Sequence, residues 1–298
     1  MASVAETAPA RGVRRRRGLL GPRGPATVLR TAILLLAAAI VVYPLLLIVS
    51  TALKDPLEVA QNPYGLFTAF RFQNIVDAWT LGEFGHYFQN TVFITIPMVL
   101  GVVILSTLGG YAFALLDFPG RNALFYVFTL GLMIPFFSIM LPLYYELRTM
   151  GLLGHLPAVV LPGIAGAAEA GLPIGIFLMR SFFQDLPKDL ANAARVDGAS
   201  EWRVFRHVML PLALPGAAVL AILAFLRAWN TFILPLIFLQ GEENRTLATG
   251  LYQFAGGRTQ ETELVAAGAL IMSLPVVVFF LFFQRNFVKG LTSGAVKG

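Results

Sequence analysis

Long apolar runs dominate this sequence and constrain its fold more than any other feature. Each is about 20 residues or longer, the length that a helix needs to cross a hydrocarbon core of roughly 30 Å. The six runs are residues 30–53, 91–115, 124–147, 156–179, 212–239 and 264–283. Only 13% of the residues are charged, against about 25% in ordinary soluble domains. We therefore predict an all-α polytopic membrane protein with about six transmembrane helices.

The fourth run differs from the others because it contains helix-breaking and charged residues. Pro162, Pro173 and several glycines interrupt it, and Glu169 places a carboxylate in it. Such a run predicts a broken helix that faces other protein rather than lipid. Glu169 then either lines a path through the membrane or lies at the outer rim of a shortened span.

The Lys and Arg residues predict the orientation, because cationic loops stay on the cytoplasmic side. With the N-terminus inside, the outer loops hold only Lys54, Arg71, Arg148, Arg245 and Arg258, and all other Lys and Arg outside the runs are inside. We therefore expect a multi-pass membrane protein with both termini in the cytoplasm. Residues 1–28 lack apolar periodicity and predict a disordered basic tail, with the transmembrane domain over 29–298.

The composition also excludes several kinds of chemistry. The chain has no cysteine, which excludes disulfides, thiolate metal sites and a cysteine nucleophile. Its three histidines, His86, His155 and His207, are isolated and lack the spacing of metal ligands, so no metal site is assigned. We find no convergent set of acids and bases that an enzyme would need.

The segment 181–211, between the fourth and fifth runs, is far longer than a simple turn. Asp185 is expected to cap a short helix within it. Leu190, Ala193 and Ala194 recur on one face of that helix. Gly198 suits the left-handed residue that ends such a helix. The segment therefore begins with one short helix and a glycine corner.

A second short helix is expected after the corner, capped by Ser200. Trp202, Phe205 and Val208 would line one side of it, and the basic residues Arg203, Arg206 and His207 would lie largely on another. Pro211 then marks the entry to the fifth span. Such a pair of amphipathic helices either inserts into a groove of another protein or lies on the lipid surface, and the pattern alone leaves both open.

Two runs in this segment carry a family resemblance. Asn192-Ala193-Ala194-Arg195-Val196-Asp197-Gly198, followed after nine residues by Val208-Met209-Leu210-Pro211, resembles the EAA loop of ABC importer permeases. That motif reads Glu-Ala-Ala, three residues, Gly, nine residues, Ile-x-Leu-Pro. The resemblance implies a type I ABC importer permease fold in the bacterial cytoplasmic membrane. In that fold 29–298 is the permease domain and 181–211 within it is a cytoplasmic coupling loop. Asn192 departs from the usual Glu and cannot make the same charge-assisted contact.

Other stretches narrow the resemblance to the second permease of maltose-type sugar importers. They are Tyr111-Ala112-Phe113-Ala114, Phe118-Pro119-Gly120-Arg121, Met133-Ile134-Pro135, Leu141-Pro142-Leu143-Tyr144, Trp229-Asn230 with Pro235-Leu236, and the tail from Gly290 to Gly298. The resemblance implies a sugar importer built from two different permease subunits, two ATP-binding subunits and an extracytoplasmic sugar-binding protein. It assigns to the coupling loop Asn192, Ala193, Ala194, Asp197, Gly198, Trp202, Arg206, Leu210 and Pro211.

The energy source has to lie outside this chain. No Lys follows a Gly, so the phosphate-cradling Gly-Lys-Ser/Thr loop is missing. We expect no cofactor on this chain, with ATP and Mg bound by the partner ATPase, and we predict a transport subunit rather than an enzyme.

Three residues are candidates for the translocation path, since polar groups within a membrane usually serve function. Arg227 lies near the middle of the fifth run and either contacts a sugar hydroxyl or pairs with a carboxylate of a partner subunit. Asn230, one turn on, either lies along the same path or makes a helix–helix hydrogen bond. Glu169 is the third candidate.

Two other classes of transporter remain as alternatives. A secondary transporter would explain six spans, but it normally needs buried carboxylates, and these runs offer little beyond Glu169 and Glu146. A permease for a non-sugar ABC importer is the nearer alternative, because importers of amino acids, peptides and phosphate share the coupling loop.

Overall fold

The computed structural model describes residues 25–167, 171–258 and 261–295, and all regular structure in these ranges is helical. The α-helices are α1 (Pro25–Ala52), α2 (Pro56–Gln61), α3 (Gln73–Leu81), α4 (Phe84–Leu115), α5 (Arg121–Leu130), α6 (Phe136–Thr149), α7 (Pro157–Ala165), α8 (Leu172–Asp185), α9 (Lys188–Val196), α10 (Glu201–Val204), α11 (Leu210–Trp229), α12 (Ile233–Phe238), α13 (Leu247–Gln253) and α14 (Thr262–Ala295). Short 3₁₀ turns lie at Gly131–Met133 and Glu242–Asn244, and π-helical turns at Phe205–Met209 and Phe254–Arg258.

The chain divides into two compact units, residues 1–47 and 48–298. In the first unit, the structure describes α1 from Pro25, an apolar helix that continues through Pro44 and is long enough to cross a membrane. Most of the predicted basic tail, residues 1–24, lies outside the described residues. The second unit contains the other thirteen α-helices.

Helix α4 is the centre of the second unit, where its main neighbours are α8 and α11. It begins at Phe84, seven residues before the predicted second run. Small residues allow α8 to approach closely: a Cβ at Gly110 would lie 2.8 Å from the backbone nitrogen of Arg180, and one at Gly175 would overlap the Ser106 hydroxyl. Glycine at these positions lets the two helices pack backbone against backbone.

The third run is bent rather than straight. Helices α5 and α6 meet at an angle of 100°, with a 3₁₀ turn and Pro135 between them. A residue before proline avoids the helical region, and Ile134 accordingly has an extended conformation with ψ of 113°. The run predicted as one span, 124–147, therefore forms a corner.

The fourth run is broken, as its prolines and glycines predict. Helix α7 ends at Gly166, which has a left-handed φ of 98°. The amides of Gly166 and Ala167 donate to the carbonyls of Gly163 and Pro162, which is the Schellman arrangement that satisfies a helix end. Helices α7 and α8 have 9 and 14 residues, so neither crosses a membrane alone.

The fifth run belongs to a longer continuous helix, Glu201–Trp229. The predictions that Pro211 starts this span and that it reaches Leu239 were therefore wrong. Pro211 is tolerated inside the helix because a π turn precedes it, in which the amide of Leu210 donates to the Phe205 carbonyl five residues back. The helix ends at Trp229, and α12 follows as a separate short helix.

Four helices in the described part of the chain are long and apolar enough to cross a membrane, or five if the bent pair α5–α6 counts as one span. The four are Thr27–Ala52, Phe84–Leu115, Glu201–Trp229 and Thr262–Gln284. The predicted all-α polytopic fold is confirmed. The broken pair α7–α8 accounts for the remaining apolar run.

We predict that Gly110→Ala lowers the stability of the bundle by about 1–3 kcal/mol, because the added Cβ meets the α8 backbone, which cannot move aside as a side chain can. Thermal unfolding in detergent, followed by tryptophan fluorescence, measures the change. Gly256→Ala is the control, since its Cβ meets nothing within 4 Å. An unchanged midpoint for Gly110→Ala would contradict the close approach of α4 and α8.

Candidate functional site

The 181–211 segment forms a helix, a glycine corner and the start of a second helix. The corner is built on Gly198, whose φ of 79° confirms the left-handed conformation predicted for it. The amides of Gly198 and Ala199 donate to the carbonyls of Arg195 and Ala194, each at 3.0 Å. This Schellman arrangement ends α9 without leaving its last carbonyls unpaired.

The start of α9 differs from the prediction. Asp185 does not cap this helix, because it is the last residue of α8. Leu186 precedes a proline and leaves the helical region, so α8 ends there and Pro187 occupies the N-cap position of α9. The interruption is thus placed by Pro187.

Helix α9 presents one face to the bundle and one face outward. Ala191 is fully buried and Ala194 is half-buried against the core around Met179 and Met209. Leu190 and Ala193, predicted to share one face with Ala194, are exposed instead. Small residues on the inner face are required because α9 packs directly on the π turn.

The outward face of α9 and its corner carries four of the nine residues assigned to the coupling loop. Asn192, Ala193, Asp197 and Gly198 are exposed on α9 and its corner. Val196, at 88% exposure, adds an apolar side chain to them. Leu190 and Trp202 of the same segment are also exposed, at 45% and 60%, so the exposed surface of the segment includes several apolar groups.

The second helix of the segment buries other residues than predicted. Ser200 occupies the N-cap position, but α10 is not an independent helix, since it continues through the π turn into α11. Phe205 is buried as expected, whereas Trp202 is 60% exposed and rests on the Phe205 ring at 5.3 Å. The π turn rotates the helix, so that Val204 and Met209 are the side chains fully buried beside Phe205.

The remaining residues assigned to the coupling loop lie where the segment leads into the fifth apolar run. Arg206 is exposed, Leu210 is half-buried against the core and Pro211 is exposed. The assigned residues thus fall into two groups, an exposed surface on α9 and α10 and a packed transition into α11.

A hydrogen-bonded network joins the two sides of the corner. The Arg195 guanidinium donates to both Glu201 carboxylate oxygens, at 2.6 and 3.2 Å. The Tyr111 hydroxyl of α4 donates to the same carboxylate at 2.9 Å. These hydrogen bonds to Glu201 hold the pKa of Arg195 above its usual value. The carboxylate therefore connects α4, α9 and α10.

Asn192 also engages this network. Its side-chain oxygen accepts from the Arg195 guanidinium at 3.0 Å. Arg195 further reaches the carbonyl of Leu115, the last residue of α4, at 3.4 Å, where a helix end favours a cation. The amide that replaces the usual Glu is thus held by a neighbour within its own helix.

A cavity of about 850 Å³ lies inside the corner of α5 and α6. The other side of it is formed by the end of α11, including Arg227, Asn230 and Thr231. The Asn230 amide donates to the Leu226 carbonyl at 2.8 Å, so it caps α11 rather than bridging to another helix. Arg227 and Asn230 are thus brought together at one cavity, while Glu169 lies outside the described residues.

The described ranges contain no group of three or more His, Asp or Glu side chains that could hold a metal ion. Polar features of these ranges include the outward face of α9 and α10, the Glu201 network and the α11 end of the cavity.

These features define a class of protein, a polytopic helical membrane protein with a helix, a glycine corner and a second helix before its fifth apolar run. Residues 106–293 match the family described as the binding-protein-dependent transport system inner membrane component. The chain belongs to that family.

Individual relatives are similar over most of the chain. The diacetylchitobiose uptake system permease NgcG of Streptomyces coelicolor is 34% identical, covering 89% of this chain and 87% of the relative. The arabinooligosaccharide transport permease AraQ of Halalkalibacterium halodurans is 36% identical, covering 88% and 93%. The trehalose transport permease SugB of Mycobacterium tuberculosis is 36% identical, covering 86% and 92%.

Solved structures support the fold. A subunit of a bacterial ABC transporter involved in the import of the acidic polysaccharide alginate matches with a TM-score of 0.75 and 23% identity. The match covers 91% of this chain and all of that chain. At this identity the likeness shows the shared fold.

Sequence reasoning missed Tyr111 and Glu201 as site residues. Arg195 and Glu201 lie three residues to either side of Gly198, and a left-handed corner at that glycine was the one available signal that they could meet. Tyr111 lies 90 positions from Glu201, and no local pattern brings them together.

We predict that water reaches the cavity, which the lack of native cysteine makes simple to test. The single-cysteine variant Thr231→Cys should react with a membrane-impermeant thiol reagent in the assembled complex, because Thr231 lines the cavity. Thr95→Cys, at a buried site in α4 with 2% exposure, should not react. Equal labelling of both variants would contradict an accessible cavity beside α11.

Proposed function

We propose that this chain is one membrane-spanning half of an ATP-driven, binding-protein-dependent sugar importer. The observation that carries the proposal is the outward face of the α9–α10 corner in a chain that belongs to a family of transport permeases. The named relatives that move diacetylchitobiose, arabinooligosaccharides and trehalose support sugar as the substrate class.

The outward face of α9 and α10 is the proposed docking surface for an ATP-binding subunit. It combines small residues that permit close approach, such as Ala193, with apolar groups that gain from being covered, namely Val196 and Trp202. The partner would bind ATP and Mg, since this sequence lacks a phosphate-cradling loop. In this arrangement α9 and both chain termini are cytoplasmic.

A second permease subunit would complete the membrane path. Met133 and Phe137, at the α5–α6 corner, are 77% and 70% exposed beside the cavity. A facing subunit would cover such side chains and form the opposite wall of a water-accessible path that includes the cavity. An extracytoplasmic sugar-binding protein would deliver the substrate, as the complex of a related alginate transporter with its periplasmic protein suggests by analogy.

The polar end of the cavity is the proposed substrate path. Arg227 and Asn230 project from one turn of α11, beside the apolar wall of the α5–α6 corner. A sugar needs such a combination, since its hydroxyls require hydrogen-bond partners and its ring faces pack on apolar surface. Arg227 either donates to a sugar hydroxyl or pairs with a carboxylate of the second permease.

Transport would follow from a rocking motion driven through the loop. When the ATP-binding subunits close, they would pull α9 and, through the corner, the continuous helix Glu201–Trp229. Because this helix extends from the docking surface to the cavity, a displacement at one end reaches Arg227 at the other. The permease would thereby alternate between inward-open and outward-open states.

The function is tested with the whole transporter, assembled from this chain and the partner subunits encoded with it. In proteoliposomes, we expect ATP-dependent uptake of a radiolabelled oligosaccharide when the sugar-binding protein is present outside. Uptake of an amino acid or peptide in place of sugar would support the alternative substrate class. Uptake by the chain alone, without any ATPase, would overturn the proposal.

We predict that Gly198→Asp abolishes association with the ATP-binding subunit while membrane insertion stays intact. An L-residue with a φ near 79° is strained, and a charge at the corner faces the partner. Co-purification of the ATPase with the tagged permease gives the readout.

Gly120→Asp is the matched control for this change. Gly120 has nearly the same φ, 78°, and open space around it, but it lies in the loop before α5. It should retain the ATPase. Equal retention by the two variants would argue against docking at the corner.

A further inference from the structure

We propose that Glu201 is a positioning residue that, with Tyr111 and Arg195, braces the docking helix α9 against the membrane-spanning helices α4 and α11. The inference rests on the proposed function, because a brace matters only if α9 receives force from an ATP-binding subunit. It adds to that function the residues that keep the corner at Gly198 rigid.

The corner needs such a brace because of how the chain turns there. Gly198 has no side chain, its φ is 79°, and a Cβ built on it would meet nothing within 4 Å. At the corner itself, a change in the angle between α9 and α10 is opposed by the two backbone hydrogen bonds that end α9 rather than by a side chain at Gly198. A pull on α9 could therefore be absorbed as bending, without moving α11.

The Arg195–Glu201 ion pair spans the corner at Gly198. The two residues lie on opposite sides of Gly198, and the guanidinium contacts both carboxylate oxygens, at 2.6 and 3.2 Å. A bidentate pair of this kind restricts orientation as well as distance. Opening the corner would have to break both contacts.

Tyr111 connects the ion pair to the core of the bundle. Its hydroxyl donates to Glu201 at 2.9 Å, while its ring, only 5% exposed, packs edge-on against Phe183 of α8 and Phe205 of the π turn. The ring centroids lie 5.6 and 5.0 Å apart. A buried aromatic ring cannot follow a moving carboxylate, so Glu201 is held against α4.

The Arg121–Asp117 ion pair, on another short loop, lacks this arrangement. Its two atoms lie 2.8 Å apart, but Asp117 is 96% exposed and lies four residues from its partner. The Glu201 carboxylate differs from it in also accepting from a buried tyrosine of another helix. This distinguishes a brace from an ordinary surface pair.

The test measures coupling, defined as sugar molecules imported per ATP hydrolysed by the reconstituted transporter. Glu201→Gln replaces one of the two acceptor oxygens of the carboxylate with an NH2 group, which is a donor. The side chain then cannot keep its hydrogen bonds from both Arg195 and Tyr111. We expect the complex to assemble and hydrolyse ATP at a comparable rate, with the coupling ratio lowered about tenfold.

Tyr111→Phe provides a second, milder variant that keeps the ring contacts and removes only the hydroxyl. It should lower the coupling ratio in the same direction, and the double variant should be no worse than Glu201→Gln, because both act through one carboxylate. Asp117→Asn, which breaks an exposed ion pair away from the corner, is the control and should leave the ratio unchanged.

The outcomes separate this proposal from the proposed function. If the wild-type complex shows no ATP-dependent uptake, the proposed function itself has failed. If the wild type transports and both Glu201→Gln and Tyr111→Phe keep its coupling ratio, the brace is wrong. A proportional fall in assembly, ATP hydrolysis and uptake would also overturn it, because that result indicates a merely structural contact.

Discussion

The backbone of a membrane protein must satisfy its own hydrogen bonds, because the bilayer core supplies no partners, and this constraint shapes every element of the second unit. It explains why each break in an apolar run is closed locally. The end of α7 at Gly166 pairs its carbonyls with the amides that follow. The end of α11 is capped by the Asn230 side chain. The breaks in the third, fourth and fifth runs lie where α5, α7 and α11 approach the cavity.

The same constraint explains why α10 and α11 form one continuous helix, Glu201–Trp229. A helix that ran only from Leu210 would leave the docking corner attached through a flexible loop. The π turn instead allows the helix to continue through Pro211, so that Glu201 and Arg227 belong to one rigid body. Burial of Phe205 and Met209 fixes that body against α4 and α8. The proposed docking surface and the cavity thus lie at opposite ends of one helix, as a driven permease requires.

Much of the fold could be predicted from apolar periodicity, because lipid demands long helices with few charges. The breaks at Pro135 and in the fourth run follow from local backbone rules, and so does the left-handed Gly198. Exact helix ends could not be predicted in the same way. Trp202 was misplaced because the π turn before Pro211 is packed in the core of the bundle, which no short window of sequence contains. Asp185 was misplaced although a local rule applies there, since Pro187 ends α8 just after Asp185 and itself takes the N-cap position of α9.

The sequence by itself determined the membrane class, the helical architecture, the glycine corner and the family, since each rests on residue types within a short stretch of chain. Only the tertiary structure decided that Tyr111 meets Glu201, that Arg195 holds Asn192, and that Arg227 faces a cavity made by the α5–α6 corner. Some of these contacts join residues that are far apart in sequence. The others depend on the side of a helix on which a residue lies. Their positions follow from how the helices pack, and packing is a property of the whole bundle rather than of any one segment.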